Sequence, residues 1–245
     1  MKNFTKKIFN QRTFSFAVFV TFILSAIFVT LSLVLAPTIE TATPNHARIK
    51  SDYILMLSQC VFGIIAMLLP GLVEKRFNIS IPSKMIIFYA LFLFCAIYLG
   101  EVRSFYYTVP HWDTILHTVS GCILGALGFS LVTILNKTDR IPLNISPIFV
   151  SLFAFCFAVA LGVVWEIYEF SADAIMSTNM QKYAAEGGVN FIGRAALDDT
   201  MKDLIVDCIG AFAISVFGYI SLKYKKNWLE QLRLKQRSEP NSIDN

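Results

Sequence analysis

Six blocks of almost unbroken apolar residues dominate this chain, at about 15–36, 53–73, 85–101, 113–135, 147–170 and 203–222. A helix needs about 20 such residues to cross the hydrocarbon core of a bilayer. No water is available there to pair backbone N–H and C=O groups, so a spanning segment must satisfy them internally. The expected fold is therefore all-α: a polytopic membrane helix bundle with about six transmembrane helices. Composition agrees. Hydrophobic residues make up 56% of the 245 and charged ones 16%, against about 45–50% and about 25% in soluble domains. That charge density is too low for a disordered chain or a nucleic-acid binder, so no nucleic-acid partner is expected. The third block is the shortest. The first follows a basic start (Lys2, Lys6, Lys7, Arg12), as a signal peptide would. Its apolar run from Phe14 to Ala36 is too long for a signal segment and no small-x-small cleavage pattern closes it, so it reads as a retained anchor.

Lysine and arginine in short loops set orientation, because they stay on the cytoplasmic side. With the N-terminus inside, segments 1–14, 74–84, 136–146 and 223–245 carry 15 of the 21 basic residues. The outside segments carry only Arg48, Lys50, Arg103, Lys182, Arg194 and Lys202. Both termini are thus expected in the cytoplasm. The organisation expected is a cytoplasmic N-terminus (1–14), a six-span domain (15–222) and a basic cytoplasmic tail (223–245). The N-x-Ser/Thr patterns at Asn3, Asn78, Asn136 and Asn144 then all lie inside, where no glycan is added. Cys60, Cys95, Cys122, Cys156 and Cys208 fall in separate spans without CxxC spacing, and read as small apolar packing residues. The tail, with Trp228, Leu229 and Leu232 among its basic residues, reads first as a positive stop signal and second as an extension on anionic headgroups. The longest outside loop, about 171–202, contains Gly187-Gly188. A loop of such length is usually functional or mobile.

Ionisable side chains inside the apolar blocks carry the functional signal. One near the centre of a lone span costs about 2.5–3.5 kcal/mol on insertion scales. Here they gather at four helix ends. Span four opens with Asp113 and His117 on one face, continued by Gly121 and Gly125 in a G-x-x-x-G pattern that admits a close neighbour. Span five ends with Gly162, Glu166 and Glu169 on a shared face, span six enters with Asp199, Asp203 and Asp207 above Gly210, and Glu101 closes span three. The alternating direction of the spans puts all four ends on the outer side, so these eight side chains are expected to line one outward-facing polar pocket.

Helix capping competes as an explanation for Asp113 and Asp199 at even odds, since both begin helices. It fails for Glu166 and Glu169, at a helix C-terminus, and for Asp207, about two turns inside its helix. The nearby cations expected are Arg103, Arg194 and Lys202, too few for the acids if all ionise. Either several acids are protonated or a bound cation supplies the charge. Carboxylates with an imidazole suit magnesium, manganese, iron or zinc. The candidate metal ligands are Asp113, His117, Glu166, Asp199, Asp203 and Asp207, and the candidate catalytic carboxylates are Glu169, as general base, and Glu166.

At these three segments the chain resembles the YjdF-like multi-pass inner-membrane proteins of bacteria. The likeness rests on the D-x-x-x-H start Asp113, His117 and Gly121, on the aromatic E-x-x-E end Trp165, Glu166, Tyr168 and Glu169, and on the acidic entry Asp199, Asp203, Asp207, Gly210 and Ala211. It covers roughly the C-terminal half, and the first two spans match only in hydropathy. A Gly-Asp pair that the family carries ahead of its last span is not reproduced cleanly, Gly187-Gly188 lying farther upstream. The resemblance implies a bacterial plasma membrane location and a shared polar site, and no reaction, because that family has no established activity.

Three function classes remain open. The first is a metal-assisted hydrolase or transferase acting on a lipid or lipid-linked substrate, the metal polarising a phosphoryl or acyl oxygen. No nucleophile elbow or H-E-x-x-H motif accompanies it, and no motif marks a serine such as Ser120 as a nucleophile. The second is a proton- or cation-coupled transporter, since intramembrane acids also mark ion pathways. The third is a structural protein whose acidic cluster specifies helix packing. The bilayer is the expected partner; the residues do not fix an oligomeric state. Gln59 and Ser58 are the only hints that the first two spans reach the pocket.

Overall fold

The computed structural model describes residues 10–36, 48–138, 145–185, 189–224 and 235–236, without the side chains of 134–138 and 235–236. Six helices are long and apolar enough to cross a membrane. They are α1 (Gln11–Leu35), α2 (Lys50–Phe77), α3 (Ser83–Val102), α4 (Trp112–Thr138), α5 (Pro147–Met176) and α6 (Asp198–Lys223). Local chemistry fixes their ends. Asn10 accepts from the Arg12 N–H ahead of α1, and Ser146 accepts from Phe149 N–H ahead of α5, with Pro147 at its first position. α2 stops at Asn78 and α5 at Ser177, both in the left-handed conformation (φ 49° and 54°) usual for a C-terminal stop.

α4, α5 and α6 pack on one another, and α1, α2 and α3 form a second group joined to the first through α3–α4 and α2–α5 contacts. The G-x-x-x-G expectation is met at the α4–α6 seam. A Cβ on Gly121 would stand 2.5 Å from the Asp207 carbonyl oxygen, and one on Gly210 would collide with the Thr118 carbonyl. The two backbones touch, and Cys122 Sγ donates to Gly210 O at 3.3 Å. Away from this seam, Phe129, Val132, Val150 and Ala154 fill the other end of the α4–α6 group. Phe22, Cys60, Ala90, Leu93 and Ile97 do the same between α1, α2 and α3. Exposed Leu31, Leu68, Phe149, Phe170 and Phe212 face outward, where lipid tails are as apolar as they are.

The structure alters two boundaries. α5 continues to Met176, and a 3-10 turn over Gly193–Leu197 leads into α6 at Asp198. The loop between them is therefore 177–192 rather than 171–202, because residues 171–176 (Ser-Ala-Asp-Ala-Ile-Met) continue α5 and the acids at 198–199 open α6. The last nine residues of α3, Phe94–Val102, are wound as a π-helix. The five cysteines are free. Asn3, Asn144, Gly187-Gly188, Trp228, Leu229 and Leu232, and the side chain of Asn136, lie outside the described residues.

Ile79–Ser80 pairs antiparallel with Lys235–Gln236, so the tail and the α2–α3 turn share one end of the bundle. The opposite end gathers the close of α3, the opening of α4, the close of α5 and the opening of α6.

Candidate metal centre

At that opposite end, the chain enters α4 through His111, held at φ 60°, which sets Asp113 in the first helical turn and His117 one turn deeper. α6 supplies Asp203 and Asp207 from the facing helix. His117 is the hub. Its Nε2 lies 3.8 Å from Asp113 Oδ1 and 3.8 Å from Asp203 Oδ2. Its Nδ1 lies 3.3 Å from Asp207 Oδ2, and Ser120 Oγ donates to Asp207 Oδ1 at 2.8 Å. With the Nδ1 proton directed at Asp207, the Nε2 lone pair points toward two carboxylates. One ligand atom from each of Asp113, His117 and Asp203 falls within 4.8 Å of the others, so these three could hold a metal ion. A ligating histidine usually gives its other N–H to a carboxylate, and Asp207 occupies that place.

Burial grades the site. Asp203 and Asp207 are 3% exposed and His117 is 8%, whereas the Asp113 side chain is 26% exposed and forms the open edge. α5 closes the opposite wall. A Cβ on Gly162 would stand 2.7 Å from Asp207 Oδ2, so glycine is what lets α5 approach that carboxylate. One turn on, Glu166 is 5% exposed; its oxygens close no short hydrogen bond among the described residues, and the Thr200 side chain lies within reach of them. His117, Thr200, Asp199 and Asp207 are its polar neighbours.

Glu169 is buried too, but Trp165 Nε1 donates to its Oε1 at 2.7 Å. Asp199 is half-buried in the first turn of α6, with Asp113, Lys182, His117 and Lys202 as charged neighbours. It is not the cap of that helix. The cap position is Leu197, without a side-chain cap bond. Glu101 is buried on the π-helical end of α3, beside Lys182, Asp52, Arg48 and Asp113. The eight side chains expected in one layer are thus brought to one end, around His117.

The cations differ from those expected. Arg103 and Arg194 are exposed, and Lys202 is exposed in an ion pair with Asp198. Lys182 reaches the acids instead. It sits in the left-handed conformation (φ 50°), with Nζ 4.8 Å from the ring centre of Tyr106 and 5.3 Å from that of Tyr107. Burial opposes its charge, yet Glu101, Tyr107, Asp113 and Glu169 outweigh burial and raise its pKa. The Tyr106 phenol is pushed well above its ordinary value by burial, then by Asp113 and Glu101. Asp173 holds the Lys182 loop in place. Its Oδ1 accepts from Thr178 Oγ1 and Met180 N–H, each at 2.7 Å, and its Oδ2 from Gln181 N–H at 2.9 Å.

Lys182 and Asp173 were missed because their roles depend on how a loop folds back. α2 contributes indirectly: Phe62 packs on Trp165 with ring centres 5.7 Å apart. Gln59 donates to Met180 Sδ at 3.1 Å, and Ser58 to its own helix at Leu55 O.

The family described as "Predicted membrane protein (DUF2238)" matches residues 16–224, and the chain belongs to it. The YjdF-like proteins are members of the same family. An uncharacterised protein of Thermotoga maritima is 29% identical over 152 residues, which cover 61% of this chain and 69% of that protein. No solved structure matches.

Proposed function

Within this family of membrane proteins, we propose that the chain carries an intramembrane divalent-metal site and uses it for metal-assisted hydrolysis or group transfer on a lipid-linked substrate. The observation that carries the reading is the division of labour around His117. Asp207 takes one ring nitrogen, and Asp113 and Asp203 stand opposite the other without closing a hydrogen bond to it. Two carboxylates within 4 Å of one ring nitrogen repel unless a proton or a metal cation lies among them, and a divalent cation would serve both carboxylates at once. Three ligands with one open edge, at Asp113, match the pattern of a site that keeps a position for water or substrate.

In this reading Asp113, His117 and Asp203 are the ligands, and Asp207 and Ser120 orient the imidazole. A metal there would polarise a phosphoryl or acyl oxygen and lower the pKa of bound water. Glu166, buried on α5 beside Thr200, would be the carboxylate that accepts a proton. Glu169, the general base expected from sequence, is instead oriented by Trp165 beside Lys182. Asp199 is a candidate for an outer role at the rim. Transport is less well supported, because Phe129, Val132, Val150 and Ala154 fill the α4–α6 group beyond the site.

Metal analysis of the detergent-purified protein tests the proposal. Stoichiometric Mg, Mn, Fe or Zn is expected in wild type and lost in Asp203→Asn and His117→Ala. Wild type that stays metal-free after incubation with each of these ions would end it.

A further inference from the structure

A second polar feature lies on the other side of α3. α1 and α3 enclose a half-open groove of about 540 Å³, lined by Thr21, Leu24, Ser25, Phe28, Arg48, Tyr98, Val102 and Arg103. Its chemistry is opposite to that of the metal centre: among the described residues, two guanidinium groups and no carboxylate line it. Arg48 is anchored on both arms, donating through Nη2 to Val102 O at 3.2 Å and to the Ser104 hydroxyl, and through Nη1 to Met56 Sδ at 3.7 Å. Of the five guanidinium N–H donors, this anchoring leaves Nε and one Nη1 hydrogen for a ligand. Arg103 is exposed at the end of α3, and neither arginine makes an ion pair among the described residues. Glu101, on the far side of the α3 terminus, is close enough to Arg48 to interact with its charge, but it does not line the groove.

Leu24 and Phe28, 61% and 59% exposed, continue the groove down the lipid-facing side of α1. The groove therefore has a cationic mouth at the level of a helix end and an apolar floor at the level of acyl chains. We infer that the α1–α3 groove binds an anionic phospholipid, its phosphate on Arg48 and Arg103 and an acyl chain along Leu24 and Phe28. Charge complementarity selects this occupant. Two guanidinium groups lining one groove suit an anionic phosphate headgroup, and a groove opening into the bilayer is filled from the bilayer. The inference is independent of the metal reading, since none of the groove's lining residues belongs to the metal centre.

Native mass spectrometry of the full chain, released from detergent with equal amounts of phosphatidylglycerol and phosphatidylcholine, tests it. Wild type should retain phosphatidylglycerol about tenfold more than phosphatidylcholine, whose choline cation offsets the phosphate charge that the two arginines meet; tenfold corresponds to about 1.4 kcal/mol. Arg103→Gln, at an exposed side chain, should bring the two lipids close to parity. Arg48→Lys, which keeps the charge and loses the fork, should weaken the preference without reversing it. Lys202→Gln and Asp203→Asn should leave it unchanged, which separates this site from surface charge and from the metal centre. Equal retention by wild type, a preference that survives Arg103→Gln, or displacement of the lipid by excess inorganic phosphate would each overturn the assignment.

Discussion

Asp207 is the residue whose replacement discriminates best between a ligand and an orienting group. In the structure its carboxylate faces His117 Nδ1, not the Nε2 side where Asp113 and Asp203 converge. Removing an outer partner of a ligating histidine typically costs 10–100-fold in metal affinity. The 3.3 Å separation is slightly beyond the usual range for N–H···O bonds, which argues for the lower end with a conservative change. Asp207→Asn keeps an acceptor but loses the charge assistance that roughly doubles such a bond. Its expected effect is about tenfold, or about 1.4 kcal/mol. Asp207→Ala also strips the acceptor from Ser120 Oγ and should approach a hundredfold. Asp203→Asn, which removes a ligand, should abolish saturable binding. Calorimetric titration of detergent-purified protein with Mn²⁺ or Zn²⁺ reads the series, and melting temperature identifies variants that merely misfold. An Asp207→Asn protein binding as well as wild type, or losing as much as Asp203→Asn, would refute the assignment of roles.

Gly162→Ala should place a methyl 2.7 Å from Asp207 Oδ2 and destabilise the fold by about 1–3 kcal/mol while weakening metal binding. Gly71→Ala, with open space around its position, should not lower the melting temperature. Lys182 has a raised folded-state pKa, so its contribution is fully present below the ordinary lysine value of about 10.4 and is lost as pH rises through the higher folded value. The melting-temperature gap between wild type and Lys182→Met should accordingly hold from neutral pH to about 10 and shrink only above it, whereas a gap closing near pH 8 would contradict this. Reporter fusions within 103–111 and 177–192 should label one compartment, and fusions at 79–82 and in the tail the other; a split within either pair would dismantle the shared polar end.

The spans were legible because each is a long apolar block, and bilayer thickness leaves little choice of structure. The α4–α6 seam was legible as well, since Gly121 and Gly210 have no side chain to keep the backbones apart. Asp113, His117 and Asp203 could be placed in one layer from helical spacing together with the alternating direction of the spans. Their division from Asp207 could not, because which ring nitrogen each carboxylate meets depends on the rotation of α6 against α4. The true neighbouring cation was hidden for a different reason. Lys182 lies in the loop six residues past the end of α5, and the bonds of Asp173 to Thr178, Met180 and Gln181 help fold that loop over Tyr106. The same limit applies to Glu169, whose partner Trp165 lies on its own helix but is packed by Phe62 from α2.

A purely structural role for the acidic end makes a definite demand on geometry. Buried polar groups that exist to pair helices should close their hydrogen bonds, since each unsatisfied one costs about 1–3 kcal/mol and charged ones more. One part of the cluster meets that demand: Ser120, Asp207 and His117 Nδ1 form a chain across α4 and α6. The remainder does not. His117 Nε2 stands 3.8 Å from two carboxylates, and the buried Glu166 closes no short hydrogen bond among the described residues, with the Thr200 side chain within reach. Helix pairing would be served as well by the satisfied half alone. The unsatisfied half converges on a single space between Asp113, Asp203 and His117, and a divalent cation there would remove the carboxylate repulsion that packing leaves in place. That asymmetry, rather than the number of acids, is what favours a ligand site over a packing device.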